Sequence, residues 1–112
     1  MPKLSSSDNL KNVIESFGNR LAEGLFYDRR SKDTRAFPAE LLRVARRKVL
    51  YLHDAAQLSD LRVPPGNRLE ALKGRWKGFY SIRINDQWRV VFRFESGNAS
   101  DVRVVDYHYE EG

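Results

Sequence analysis

The stretch GFYSIRINDQWRVVFRF, residues 78–94, decides the fold. Its apolar and polar residues alternate with a period of two, and Asn85-Asp86 sits between two strand-like runs as a two-residue hairpin loop would. Such a loop predicts a register with Ile84 opposite Gln87, Ile82 opposite Arg89 and Tyr80 opposite Val91, all on one face. The other face then carries Phe79, Ser81, Trp88, Val90, Phe92 and Phe94; being the more apolar, it should receive the rest of the core.

Outward from the hairpin, strands are expected at about 68–73, 78–84, 87–94 and 102–108. A tight turn at Gly97-Asn98 would place Arg89 opposite Asp106 and Val91 opposite Val104. Asp106 and His108 then join Arg89 on the face away from the helices, and a loop one residue longer reverses that assignment. PPGN at 64–67 breaks the chain, and before it the period is helical. Leu41, Ala45, Val49, Leu52 and Ala56 recur at that spacing, so a helix is expected from Pro38 to about Ala56, with Arg43, Arg46 and Arg47 off its apolar stripe. DRRSKDTRAF at 28–37 reads as a loop. Asn19 can cap a short helix carrying Leu21, Leu25 and Phe26, and Val13, Ile14 and Phe17 suit a short strand. Residues 1–10 read as a flexible extension and 11–112 as a single domain. The class is α+β, with N-terminal helices packed on one face of a small antiparallel sheet.

Composition narrows the function. The chain has 112 residues, 20 Lys+Arg against 15 Asp+Glu, a formal charge of +5, no cysteine and two histidines, His53 and His108. Disulfide frameworks, thiolate metal sites and cysteine nucleophiles are excluded. No run approaches the ~18 apolar residues of a membrane helix, so no membrane association and a cytoplasmic location are expected. Charge is unevenly placed: residues 29–48 hold eight basic side chains against Asp33 and Glu40, and residues 62–93 hold eight against Glu70 and Asp86. An anionic partner is implied, although net charge by itself speaks to steering and not to fold. His53, near the end of the long helix, is assigned no catalytic role.

PPGNRLEALKG at 64–74, GFYSIRINDQWRVVFRF at 78–94 and VVDYH at 104–108 together resemble the HigB-type toxins of the RelE/ParE toxin–antitoxin superfamily, plasmid maintenance killer-like, over roughly Val13 to His108. The resemblance implies a RelE-like fold and ribosome-dependent cleavage of mRNA without a metal or cofactor. It also implies a cognate HigA-like helix-turn-helix antitoxin, through whose complex alone operator DNA would be contacted.

Metal-free RNA cleavage uses the ribose 2′-hydroxyl as nucleophile and leaves a cyclic phosphate. One group must take a proton, another give one, and cations must stabilise the charge between them. Arg89 matches the arginine of the family's Trp-Arg motif; read alone, it is a strand arginine. Lys73 matches the Leu-Lys-Gly motif, and would otherwise be a solvated lysine ahead of a glycine turn. Asp106, Tyr107 and His108 match the terminal triplet. His108 has an ordinary pKa of ~6.5, suited to proton transfer. Tyr107 can stack on a base, bind the phosphate or be a core aromatic, and Asp106 can orient His108 or Arg89 or simply pair across strands with Arg89. Many relatives carry His-Pro where this chain has Glu70-Ala71, so Glu70 is either the proton acceptor or a salt-bridge partner of Arg68 or Lys73. Arg68, Arg75 and Lys77 are candidate RNA contacts. Arg29, Arg30, Lys32, Arg43, Arg46 and Arg47 could grip ribosomal RNA phosphates or form a solvated face. Two other readings stay open: a ParE-like inhibitor of DNA gyrase and a non-enzymatic nucleic-acid-binding module.

Overall fold

A computed structural model describes residues 14–107; the extension 1–10, the start near Lys11 and His108 lie outside the described residues. Asn19 sets the first helix. Its backbone is extended and its Oδ1 accepts from the Ala22 N–H, capping α1 (Arg20–Tyr27) as the sequence predicted. The same side chain donates to the Val104 carbonyl at 2.9 Å and accepts from the Val104 N–H at 3.3 Å, tying the helix to the last strand. Asn19→Ala is therefore expected to cost about 1–2 kcal/mol, read as a lower denaturation midpoint; an unchanged midpoint would mean that water replaces the amide freely.

The segment 28–37, expected to be a loop, holds a second short helix, α2 (Lys32–Ala36). Ser31 and Thr34 form a reciprocal capping box, and Thr34 is buried while donating to the Arg29 carbonyl. Local capping prevails over the basic composition. The long helix starts later than expected: Ala39–Leu41 is a 3-10 turn and α3 spans Leu42–Asp54. Ala45, Val49 and Leu52 are buried as predicted, but Ala55 takes the place of exposed Ala56 because the chain turns extended at Ala55.

Four antiparallel strands follow in sheet order: β1 (Glu70–Ala71), β2 (Tyr80–Arg83), β3 (Trp88–Glu95) and β4 (Asn98–Asp106). β1 is far shorter than 68–73. Arg68 is left-handed (φ 48°) on one side, and on the other the chain enters a 3-10 turn at Gly74–Trp76, with Gly74 at φ 64°.

The central hairpin departs from its predicted register by one residue. Ile82 pairs with Val90 and Arg83 with Arg89, leaving a three-residue loop, 85–87, instead of two. Asn85 explains the extra residue, since its Oδ1 accepts from both Gln87 N–H (2.9 Å) and Trp88 N–H (2.7 Å). Shifting one strand by one residue exchanges its faces. Tyr80, Ile82 and Ile84 therefore pack toward the helices with Val90 and Phe92, while Phe79 and Ser81 lie on the opposite face with Arg89 and Val91. The assignment of β3 stands; that of β2 is reversed, and it buries both isoleucines in the main core.

The β3–β4 turn is Ser96-Gly97, both at positive φ, and not Gly97-Asn98. A bulge near Asp101 (φ 51°) then adds a residue to β4. Arg89 consequently lies opposite Val105, Val90 opposite Val104, and Asp106 opposite Trp88. Ile14 and Phe17 make isolated parallel bridges to Ala99 and Val102, covering the outer edge of β4. On the face away from the helices Phe79, Val91 and Val105 form a second, smaller core under Leu72 and Trp76.

Candidate active site

Arg89 projects from β3 onto this second face and is nearly buried, at 7% exposure. Its Nη1 donates to Glu70 Oε1 and to the Oγ of fully buried Ser81, both at 2.9 Å, and its Nη2 donates to the Arg68 carbonyl at 3.3 Å. Burial pulls the guanidinium below its ordinary pKa; Glu70 and Tyr107 oppose this, and Arg83 and Arg68 add to it. A guanidinium starts so high that it remains cationic.

Tyr107 stands beside this ion pair. Its ring lies 5.0 Å from Arg89 Cζ, its hydroxyl donates to Glu70 Oε1 at 3.3 Å, and its N–H donates to the Gln87 carbonyl at 2.7 Å. Of the alternatives for Tyr107, the core aromatic is not what forms: the residue is half-buried at the site. Glu70 is half-exposed, with Oε1 shared between Arg89 and Tyr107, and no hydrogen bond from the described residues falls on Oε2. Its salt-bridge partner is thus Arg89, not Arg68 or Lys73.

Two open clefts meet here. One, of about 500 Å³, is lined by Glu70, Leu72, Lys73, Gly74, Trp76 and Tyr107. The other, of about 410 Å³, is lined by Arg68, Glu70, Arg83, Asp86, Arg89 and Tyr107, among others. Lys73 was expected at a strand end and instead immediately precedes the Gly74–Trp76 turn, where it borders the first cleft. Arg68 borders the second, but meets Arg89 through its carbonyl. Arg75 and Lys77 are exposed on and after the turn and line neither cleft.

Asp106 does not join Arg89. The bulge in β4 puts it opposite Trp88, where its Oδ2 accepts from Gln87 Nε2 at 2.7 Å. The cross-strand Arg89–Asp106 pair is therefore absent, and any relation to His108 lies outside the described residues. His53 is half-buried against Phe26, 5.2 Å between ring centres.

Sequence reasoning missed Ser81 and Arg83. With the two-residue loop Ser81 faced the helices; once the register moves, it becomes the hydroxyl that fixes Arg89. Arg83 borders the second cleft and hydrogen-bonds Asp86, holding that carboxyl below the ordinary aspartate range. Among the described residues no three His, Asp or Glu side chains gather as a metal site, and no helix is long and apolar enough to cross a membrane.

Helices packed on one face of a small four-stranded antiparallel sheet form the α+β arrangement of a RelE-like toxin. The chain belongs to the HigB family: the family model described as "RelE-like toxin of type II toxin-antitoxin system HigB" matches residues 15–108. It is 39% identical over 93 residues to Toxin HigB-1 of Vibrio cholerae, covering 83% of this chain and 96% of that protein. An uncharacterized protein of Haemophilus influenzae is 32% identical over 72 residues, 64% of this chain and 71% of its own length. Endoribonuclease HigB of Proteus vulgaris is 39% identical over 41 residues, 37% of this chain and 45% of that protein. A toxin of a type II system has an antitoxin as its partner.

Proposed function

We propose that this toxin is a metal-independent endoribonuclease that cuts mRNA on the translating ribosome in the cytoplasm and is neutralised by a HigA-like helix-turn-helix antitoxin. The observation that carries this reading is the Glu70–Arg89–Tyr107 cluster beside Lys73, bordering one pair of clefts. The name of the Proteus vulgaris relative, an endoribonuclease, points the same way.

Glu70 takes the proton of the ribose 2′-hydroxyl as that oxygen attacks phosphorus. Arg89 holds Oε1 of Glu70 in place, so the other carboxylate oxygen is presented to the hydroxyl, and its charge stabilises the extra negative charge on the phosphate. Lys73 shares that load from across the first cleft. As the bond from phosphorus to the 5′-oxygen breaks, His108 returns a proton to the leaving oxygen, giving a cyclic phosphate and a 5′-hydroxyl. Arg68, Arg75 and Lys77 hold flanking phosphates, and Asp106 orients the end of β4 through Gln87.

The test is to map mRNA 5′ ends on translating ribosomes incubated with the protein, beside a ribosome-free control. New ends in the decoding site, absent from free RNA, are expected. A growth-inhibiting preparation that yields no ends would overturn the reading and favour gyrase as target. Glu70→Gln is expected to slow cleavage about 100-fold, within the range for a lost general base. Near-wild-type cleavage by this variant would assign the base elsewhere. Tyr107→Phe keeps the ring beside Arg89 and loses the bond to Glu70, so an effect of about 3–10-fold is expected, equivalent to one modest hydrogen bond; equal loss in both variants would contradict the assigned roles.

A further inference from the structure

Arg83 carries a charge from which the fold gains little. It ends β2 directly opposite Arg89, and both side chains reach the second cleft. Like charges facing each other across a ladder oppose its pairing, since their Cβ atoms stand only about 5 Å apart. Buried Lys48 feels the same charge: after burial and Arg47, Arg83 also lowers its ammonium pKa. The anion that Arg83 meets among the described residues is Asp86, three residues on in the hairpin turn. An exposed pair of that kind stabilises little, so repulsion on two sides is not offset by it.

The second cleft supplies a use for that charge. Arg89 is nearly buried there and commits its fork to Glu70, Ser81 and the Arg68 carbonyl, which leaves it little surface for a second anion. The side chain of Arg83 is 33% exposed, and that of Arg68 is exposed with no hydrogen bond or ion pair among the described residues. Asp86 is 96% exposed and makes no other side-chain hydrogen bond among those residues, so its carboxylate rests on the guanidinium where a phosphate oxygen would sit.

We propose that Arg83 is a further substrate-binding residue of this toxin: with Arg68 it grips an RNA phosphate beside the scissile one, in the second cleft, and Asp86 holds its fork in place until that phosphate displaces the carboxylate. The proposal deepens the nuclease reading and rests on it for the substrate. A guanidinium fork matches two phosphate oxygens, and a phosphate between Arg83 and Arg68 meets two cations where Asp86 meets one. That difference favours the exchange. Asp86 can leave at small cost because water already surrounds it. The clefts meet at Glu70 and Tyr107, so a strand whose scissile phosphate lies against Arg89 continues into the second cleft without turning.

The test measures affinity for ribosomes programmed with a message whose decoding-site codon carries 2′-deoxyriboses and cannot be cut, beside cleavage kinetics on the ribose message. Neutral methylphosphonate linkages are placed one at a time on either side of the scissile bond. Arg83→Gln is expected to raise KM about 10-fold with kcat little changed, because the phosphate it holds does not react. Its melting temperature should stay at or above the wild-type value, since a repelled charge is removed. Asp86→Asn removes the competing carboxylate and should bind about 2- to 5-fold more tightly than the wild type, a gain that structural damage does not produce. One neutral linkage should weaken the wild type about 10-fold and leave Arg83→Gln unaffected, because the partner of that phosphate is already gone. Equal sensitivity of both proteins to every linkage would overturn the proposal, as would an unchanged KM in Arg83→Gln or weaker binding by Asp86→Asn. Arg83-dependent coupling to one phosphate, in a protein that leaves the ribose message intact, would instead remove the nuclease reading and keep the subsite.

Discussion

Replacing Arg89 by Ala is expected to lower cleavage about 100- to 1,000-fold, the range for losing one preorganised charge-stabilising donor. Two losses coincide in that variant. The site loses its buried cation, and Glu70 loses the 2.9 Å contact that keeps one carboxylate oxygen occupied and the carboxylate in place. The fold should suffer less. Glu70 is half-exposed and regains water, so the main structural cost is the unpaired hydroxyl of buried Ser81, about 1–3 kcal/mol. Arg89→Lys keeps the charge but not a fork that reaches Glu70, Ser81 and the Arg68 carbonyl together, and it should recover little activity. Rates measured on programmed ribosomes beside melting curves decide the matter: near-wild-type cleavage by Arg89→Lys would show that charge alone suffices.

Asn67→Ala is expected to be strongly destabilising, by about 3–5 kcal/mol. Asn67 is fully buried; its Nδ2 donates to the Leu61 carbonyl at 3.1 Å and the Val63 carbonyl at 3.3 Å, and its Oδ1 accepts from Lys48 Nζ. Lys48 is itself buried on α3, its ammonium brought below the ordinary lysine pKa first by burial and then by Arg47 and Arg83. Truncation strands that ammonium and frees the chain that delivers Arg68 and Glu70 to the site. Adding Lys48→Met should restore part of the loss, because the charge no longer needs an acceptor. Denaturant midpoints test both steps, and a loss below about 1 kcal/mol in Asn67→Ala would refute this account. The linkage has a definite sign. With the folded pKa below the unfolded 10.5, the unfolded state binds more protons between the two values, so wild-type stability should rise with pH across that window.

Much of this was legible in the sequence where residues act locally. Asn19 caps α1 because an amide at that position meets the next turn's N–H groups, and Ala45, Val49 and Leu52 recur at the spacing of one helix face. The motifs around Lys73, Arg89 and Tyr107 pointed to the RelE-like family, and the fold brings Lys73, Glu70 and Tyr107 to a single cleft. Asp106 was different. Its expected place opposite Arg89 came from counting residues from a Gly97-Asn98 turn. The turn falls one residue earlier, at Ser96-Gly97, which shifts the pairing by two, and the bulge at Asp101 restores one, so Asp106 lies opposite Trp88 and accepts from Gln87. Glu70 was recognised as unusual, yet no spacing rule joins residues 70 and 89; the pairing of β1 with β2 and of β2 with β3 does.

What the sequence by itself determined was that Asn19 caps a first helix, that a longer helix carries Ala45, Val49 and Leu52 on one face ahead of an antiparallel meander, that β3 turns Trp88, Val90, Phe92 and Phe94 to the helices, and which family the chain resembles. Which face of β2 is buried, where the bulge falls, and which carboxylate meets Arg89 were decided only by tertiary structure. A period of two says that faces alternate without saying which one is inside. Burial of Ile82 and Ile84 together with Val90 and Phe92 makes that choice, and Asn85 accommodates it by adding one residue to a turn.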